Sequence, residues 1–392
     1  MPVVNRIAGL RPDIQAWRQD LHAHPELGYQ EHRTSTFVAE RLREFGCDEV
    51  VTGLGKTGVV GVIRGRGAES DRNMKVLGLR ADMDALPIEE ATNLPYTSKT
   101  RGVMHACGHD GHTAMLLGAA RYLSETRNFT GSAVIIFQPA EESGAGAKAM
   151  IEDGLMERFG IGQVFGMHNQ PGLPVGTFAL REGPTLAAAD PVSISIQGRG
   201  GHSANPHECI NPVFVGAQLI TALEQIVASN VDPREPATLS ISVFNSGNSG
   251  SIIPEKADLN GRIRTTTPKM RQFIRQRVGE VVNGVAGLTG AKIDLSIRDG
   301  YPVTFNHAAE SRFAINVAKE VAGEGNVVEA PLHMGSEDFS YMLQARPGAF
   351  IFCGNGDSAG LHNPGYDFND EAILHGTSFW IRLVETALRG DV

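Results

Sequence analysis

Short apolar runs that each hand over to a polar residue recur along the first half of the chain, and this recurrence limits the fold more than any other feature. Residues 59–63, 74–79, 134–137 and 163–167 have the length and branched composition of buried strands. Residues 14–21, 34–45 and 113–123 carry apolar side chains at helical spacing, and the second of these runs stops at Gly46, a C-cap position. Strands alternating with helices predict an α/β fold around a mainly parallel central sheet with helices on both faces. In such a sheet the carboxyl ends of the strands share one edge, where ligands bind. Asp82 and Asp84 follow the strand ending at Arg80, Glu141 and Glu142 follow 134–137, and His168 follows 163–167 directly. A run at 349–352 leads through a glycine-rich loop to His362. Polar groups far apart in sequence are therefore expected to converge in space.

The pattern changes near residue 185. An alternating strand at 191–197 and a helix at 212–227 come first; strands at 238–244 and 257–265 then flank a polar loop at 245–251. A helix at 270–288 and a strand at 292–297 complete the series. That β-α-β-β-α-β order is the ferredoxin-like α+β unit. Helices at 309–321 and 372–388 resume the first pattern. The expected organisation is one larger domain built from 1–185 and 299–392, interrupted by a satellite domain at 186–298.

Charge and cysteine usage exclude several functions. The net charge is −9 and no Lys/Arg cluster exceeds a pair, which argues against nucleic-acid or anionic-membrane binding. No apolar run approaches the roughly 18–20 residues of a bilayer span. Arg6, Arg11, Asp13 and Arg18 stand where a leader peptide would be apolar. Cys47, Cys107, Cys209 and Cys353 are scattered, with no disulfide framework; they suit a reducing compartment and a cytoplasmic location. Gly53, Gly55 and Gly58 imitate a phosphate-binding loop, but the chain continues as strand where such a loop must open a helix, so a hairpin turn is expected.

Cys107, His109, Asp110 and His112 place four metal-capable side chains within six residues, just before a helix. Thiolate and imidazole suit zinc and also bind other first-row divalent ions. Taken singly, each candidate has an ordinary structural explanation: a histidine in a hydrogen bond, acids at a helix start, a small buried cysteine, aspartates capping turns. Their coincidence at strand ends is what favours a site.

At these residues the chain resembles the aminoacylase / hippurate hydrolase / indole-acetyl-amino-acid hydrolase family of dinuclear metallohydrolases. The matching segments are 22–28, 79–87, 104–112, 138–142, 166–168, 198–204, 334–339 and 361–364, in family order over nearly the whole length. The resemblance implies a zinc-aminopeptidase-like catalytic domain with a ferredoxin-like satellite that mediates homodimers or homotetramers. It implies Cys107, His109, Glu142, His168 and His362 as ligands of two divalent ions, with Cys107 bridging. Zinc or manganese is the expected metal, with cobalt or nickel compatible. Glu141 is implied as general base, Asp84 as the residue that orients the metal site, and His202 as a satellite residue that stabilises the oxyanion in the partner subunit's site. Arg264 matches a family arginine suited to a substrate carboxylate. Distant relatives have a ligand histidine where this chain has Asp82, and Asn245 and Ser251 replace a common His and Asn. The implied activity is hydrolysis of N-acyl amino acids, hippurate-like or N-acetylated. An N-acetyl-diaminopimelate deacetylase or a dipeptidase is the alternative within the class; a catalytically decayed metal-dependent binder is the alternative outside it.

Overall fold

The computed structural model describes residues 2–66 and 75–389. Its longer elements begin with α1 (Pro2–Ala23), α2 (His32–Glu44), β1 (Glu49–Leu54), β2 (Gly58–Arg64), β3 (Val76–Asp82), α3 (His109–Thr126), β4 (Ser132–Gln138), β5 (Gln163–Pro171) and β6 (Phe178–Leu180). Next come β7 (Ala188–Gln197), α4 (Pro212–Asn230), β8 (Ala237–Asn245), β9 (Lys256–Thr265), α5 (Pro268–Thr289) and β10 (Lys292–Ile297). The chain closes with α6 (Ala308–Ala322), β11 (Val327–Glu329), β12 (Gly348–Gly356) and α7 (Ala372–Ala387). The strand expected at 74–79 is β3, displaced toward its carboxyl end, and Met74 lies outside the described residues.

Two compact units result: Met1–Thr185 with Phe305–Pro331 and Asp338–Val392, and Leu186–Thr304 with Leu332–Glu337. The first holds an eight-stranded sheet of order β1-β2-β4-β3-β5-β12-β6-β11. Four of its seven adjacent pairs are parallel: β3 with β4 and with β5, β12 with β5, and β11 with β6. The other three, β1–β2, β2–β4 and β12–β6, are antiparallel. From β3 the chain moves to one side to form β4 and returns to the other side to form β5. That reversal is where ligands bind in open α/β sheets. Every residue of β4 is buried, which is why it reads as a continuous apolar run. Leu79, Phe137, Phe165 and Ile351 from the sheet share the core with Leu116 and Leu117 of α3 and Trp380 of α7. Burying a side chain of this size contributes about 1.5–3 kcal/mol.

Residues 53–58 form the expected hairpin turn between β1 and β2, with Gly53, Gly55 and Lys56 at positive φ. In the second unit the sheet order is β8-β9-β7-β10, antiparallel throughout, which is the ferredoxin-like arrangement. Val192, Ile194 and Ile196 alternate inward from β7 and meet Leu219 and Leu223 of α4 and Ile274 and Val278 of α5. Among the described helices α4 alone is long and apolar enough to cross a membrane, where the sequence reading expected none. The reason is local: one stripe, Val215, Leu219, Leu223 and Ile226, packs in the unit's core, while Phe214 is 69% exposed.

Candidate metal centre

The loop before α3 turns at Gly108, whose φ is +87°. A Cβ at this position would meet Asn169 Nδ2 at 2.3 Å and Tyr366 Oη at 2.5 Å, so only glycine fits between Cys107 and His109. Of the four metal-capable residues in this segment, Cys107 and His109 enter the central cluster and the other two are engaged by other side chains. Asp110 accepts from His22 Nδ1 at 2.8 Å, with Arg18 Nη1 3.7 Å from the same oxygen. His112 Nδ1 lies 2.6 Å from Asp82 Oδ1, and its Nε2 accepts the Asn169 N–H at 2.9 Å. With both nitrogens engaged, His112 has no lone pair to offer an ion. Asp82 is occupied in the same way, between His112 and Arg80 Nη1 at 2.6 Å.

The ligand-ready atoms are set by what holds the other side of each group. His109 Nδ1 lies 2.9 Å from the Asp84 carbonyl and 3.2 Å from Asp84 Oδ1, which leaves Nε2 facing the cluster. His168 Nδ1 donates to the Asn169 carbonyl at 2.6 Å, and its Nε2 lies 3.4 Å from Cys107 Sγ. Glu142 donates its own N–H to Asp84 Oδ2 at 3.1 Å, while its Oε1 is 3.2 Å from His362 Nε2 and 4.0 Å from His109 Nε2. Asp84 therefore ties a histidine and a glutamate of the cluster together. Ala140, at φ +51°, turns the chain just before Glu141 and Glu142. A non-glycine residue in that region costs on the order of 1–2 kcal/mol. Glu141 Oε1 accepts the Asp338 N–H at 3.2 Å. His362 is also left-handed, at φ +61°, and its side chain is 52% exposed.

Among the described residues five groups have potential ligand atoms within 4.8 Å of one another, Asp82, His109, His112 and Glu141, Glu337, Asp338 among them; two triads share Cys107, namely Cys107, His109, His168 and Cys107, Glu142, His362. Cys107 belongs to both. Glu141 forms a further group with His109 and Glu142. His109 Nε2 is buried without a hydrogen-bond partner, a costly state that a cation would relieve. The titration of the cluster agrees. Burial, then the Glu142 and Glu141 carboxylates, push the Cys107 thiol well above its ordinary value. Burial and the neighbouring His112 hold His168 well below its own, as a neutral imidazole. Burial opposes charge on His109, but Asp82 and Asp84 outweigh it and raise the ring to about 10. Burial likewise opposes ionisation of Glu142, yet His362 and His109 keep it below the usual carboxylate range. A divalent ion held here would displace these protons and favour the Cys107 thiolate.

His202 and Arg264 lie in the second unit. His202 is exposed on the two-residue strand Gly201–His202, which pairs with Ile252–Ile253, and its Nδ1 accepts the Ala204 N–H at 3.0 Å. Arg264, on β9, is half-buried and donates from Nη1 to the Met334 carbonyl at 2.7 Å. Sequence reasoning passed over Arg80, Gln138, Asn169 and Asp338 as parts of the site. Asp338 accepts from Arg80 Nη2 at 3.0 Å, Gln138 Nε2 at 2.8 Å and the Ala147 N–H at 3.0 Å. The available signal was Arg80 itself, because a guanidinium inside a buried strand must be paired.

The description of peptidase family M20/M25/M40 matches residues 78–386. This chain belongs to that family. Among curated relatives of this family member, the hippurate hydrolase of Campylobacter jejuni is 42% identical over 385 residues, covering 98% of each chain. The N-acetyl-L-cysteine deacetylase of Bacillus subtilis is 39% identical, over 98% of this chain and 89% of that one. Among solved structures, a dinuclear metal-binding peptidase of the M20 family from Bacillus subtilis superposes with a TM-score of 0.84 at 34% identity, covering 97% of this chain and 99% of that one.

Proposed function

We propose that this chain hydrolyses the amide bond of N-acyl amino acids at a centre of two divalent ions, releasing a carboxylic acid and a free amino acid. The observation that carries the reading is the pair of triads sharing Cys107, with the buried carboxylate of Glu141 beside them. Cys107, His109 and His168 would hold one ion and Cys107, Glu142 and His362 the other. The names of the hippurate hydrolase, the deacetylase and the dinuclear peptidase support the same reading. Zinc or manganese is the metal we propose, since thiolate, imidazole and carboxylate together suit either. Ions in such a centre lower the pKa of water toward about 7 and polarise a carbonyl.

The chain's own residues do the rest. Glu141 takes the proton of the attacking water and delivers it to the leaving amine nitrogen. The Asp338 N–H holds Oε1 of Glu141 and so helps to orient the carboxylate. Asp84 keeps His109 and Glu142 in place through its two carboxylate oxygens. His202, whose Nδ1 already accepts a hydrogen bond, carries its ring proton on Nε2 when neutral and is suited to donate to an oxyanion. We assign it to the partner subunit's site. Arg264 is assigned to the substrate carboxylate, because one guanidinium nitrogen on Met334 leaves other N–H groups to form a fork.

Self-association through the satellite unit has its own support. β8 is an edge strand of its sheet, Val243 and Phe244 on it are exposed, and so is Phe214 of α4. An edge strand with apolar side chains of this kind favours pairing with another copy. The reading therefore includes a cytoplasmic homodimer or homotetramer. The experiment is amine release from N-benzoyl, N-acetyl, N-succinyl and dipeptide substrates, using chelator-stripped protein and protein refilled with zinc or manganese. Metal-dependent release from the N-benzoyl or N-acetyl members is expected. Release from the N-succinyl or dipeptide members alone would replace N-acyl amino acid hydrolysis by the alternatives.

A further inference from the structure

The turn that carries Glu141 and Glu142 is braced from behind by residues with no part in the proposed chemistry. Ala140 and Ala145, on either side of the two glutamates, both have left-handed backbones, with φ of +51° and +53°. An alanine does not hold that conformation unaided, so the surroundings must impose it. Glu31, fully buried just before α2, is placed to do so. Its Oε1 accepts the Ala140 N–H at 2.8 Å, and its Oε2 accepts the Thr57 hydroxyl at 2.5 Å. Thr57 belongs to the 53–58 hairpin, the segment that imitates a phosphate loop and has no other role here. Tyr29 donates its hydroxyl to the Gly144 carbonyl at 2.6 Å. Gly28 lies so close that a Cβ there would be 3.1 Å from both Ala140 Cα and Cβ. Residues 28–31 thus grip the turn at 140 and at 144, before and after the glutamates.

We infer that Glu31 is a positioning residue, which by accepting the Ala140 N–H fixes the left-handed turn that places Glu141 and Glu142 at the cluster, with Thr57 anchoring its second oxygen. This rests on the roles proposed above for the two glutamates. Without the carboxylate the Ala140 N–H is stranded in the interior, and the backbone relaxes toward negative φ. The carboxylate of Glu141 then moves, and a displacement of about 1 Å costs on the order of 100-fold in rate.

The test compares wild type, Glu31→Ala, Glu31→Gln and the double variant Glu31→Ala/Ala140→Gly. Each is measured for bound metal, for kcat and KM with N-benzoylglycine, and for hydrogen exchange in the peptide covering 138–147. Glu31→Ala is expected to lose about 100-fold in kcat with KM nearly constant. It should also keep both metals and exchange faster in that peptide alone. Glu31→Gln, whose amide oxygen still accepts the Ala140 N–H, restores most of the rate. Ala140→Gly in the Glu31→Ala background also recovers rate, because glycine holds positive φ without support. A general loss of stability would not be repaired by adding a glycine. Unchanged kcat and exchange in Glu31→Ala, or no recovery with glycine, overturns the inference. If Glu31→Ala does not fold, Thr57→Val takes its place; faster exchange at 138–147 supports the brace and unchanged exchange overturns it. If the wild type releases nothing from N-benzoylglycine or N-acetyl amino acids, the proposed function fails on its own. The exchange comparison between wild type and Glu31→Ala then still decides the brace.

Discussion

In the first unit Arg80, Asp82, Asp84 and His109 are 0–1% exposed, whereas in the second unit His202 is exposed and Val192, Leu219 and Ile274 fill the interior. Charges so deeply buried cost several kcal/mol each unless they are paired. The first unit meets that cost by chaining them: Asp82 to Arg80 and His112, Arg80 to Asp338, and Asp84 to His109 and Glu142. Its site is accordingly rigid and specified several times over. The second unit is stabilised by an apolar core, and it is its surface to which the proposed reading assigns association and substrate contact. Under the proposed reading the difference separates ion holding from assembly: loss of the interface should leave the metal content intact, while turnover, which uses His202 of the partner subunit, should fall.

The largest expected effect is at the residue both triads share. Cys107→Ala should bind neither ion tightly and lose at least ~10⁴-fold in turnover, the scale of a missing catalytic group. Metal stoichiometry and amine release, measured together, check this. His202→Ala should cost about 10²–10³-fold in kcat, as removal of an oxyanion donor does, while metal content stays at two per chain. A rise in KM alone would move His202 from the reaction to substrate binding. Metal stripping sharpens the contrast further. At free metal about 100-fold above its dissociation constant, binding should stabilise by roughly 2.7 kcal/mol. Hydrogen exchange should report that gain in α3, β4 and β5 and leave α4 and α5 unchanged; uniform protection would deny the separation of the two units. Smallest is Phe214→Asp on α4, which should shift the oligomer to monomer in light scattering without changing metal content. An unaltered oligomer would remove this face from the proposed interface.

The sequence carried much of this arrangement, and its failures have physical causes. β4 and β7 were legible because continuous or alternating burial imprints itself on composition. β5 and β12 run on through His168 to Pro171 and through Cys353 to Gly356, beyond their apolar stretches. Backbone pairing such as Phe352 with His168 continues regardless of side-chain polarity. β6 and β11, three residues each, are too short for any period to show. In the site, the positions of Glu141 and Glu142 past the end of β4 were readable from the residues, His168 lies within β5 where the residues placed it just past a strand end, and the resemblance supplied the ligand set. The distinction between His109 and His112 was not readable from local spacing. It depends on Asp82, Asp84 and Asn169, which the fold brings to α3 from two other strands and a loop. The same holds for Glu31, whose partners at 57 and 140 are remote in sequence.

The central claim is that two adjacent glutamates divide the work, Glu142 holding metal and Glu141 moving the proton. The most direct measurement is metal stoichiometry alongside turnover of N-benzoylglycine for Glu141→Ala and Glu142→Ala. The account predicts that Glu141→Ala keeps two ions per chain and loses about 10²–10⁴-fold in kcat, while Glu142→Ala loses at least one ion. A Glu141→Ala protein that sheds metal, or that keeps wild-type turnover with its metals in place, would contradict it.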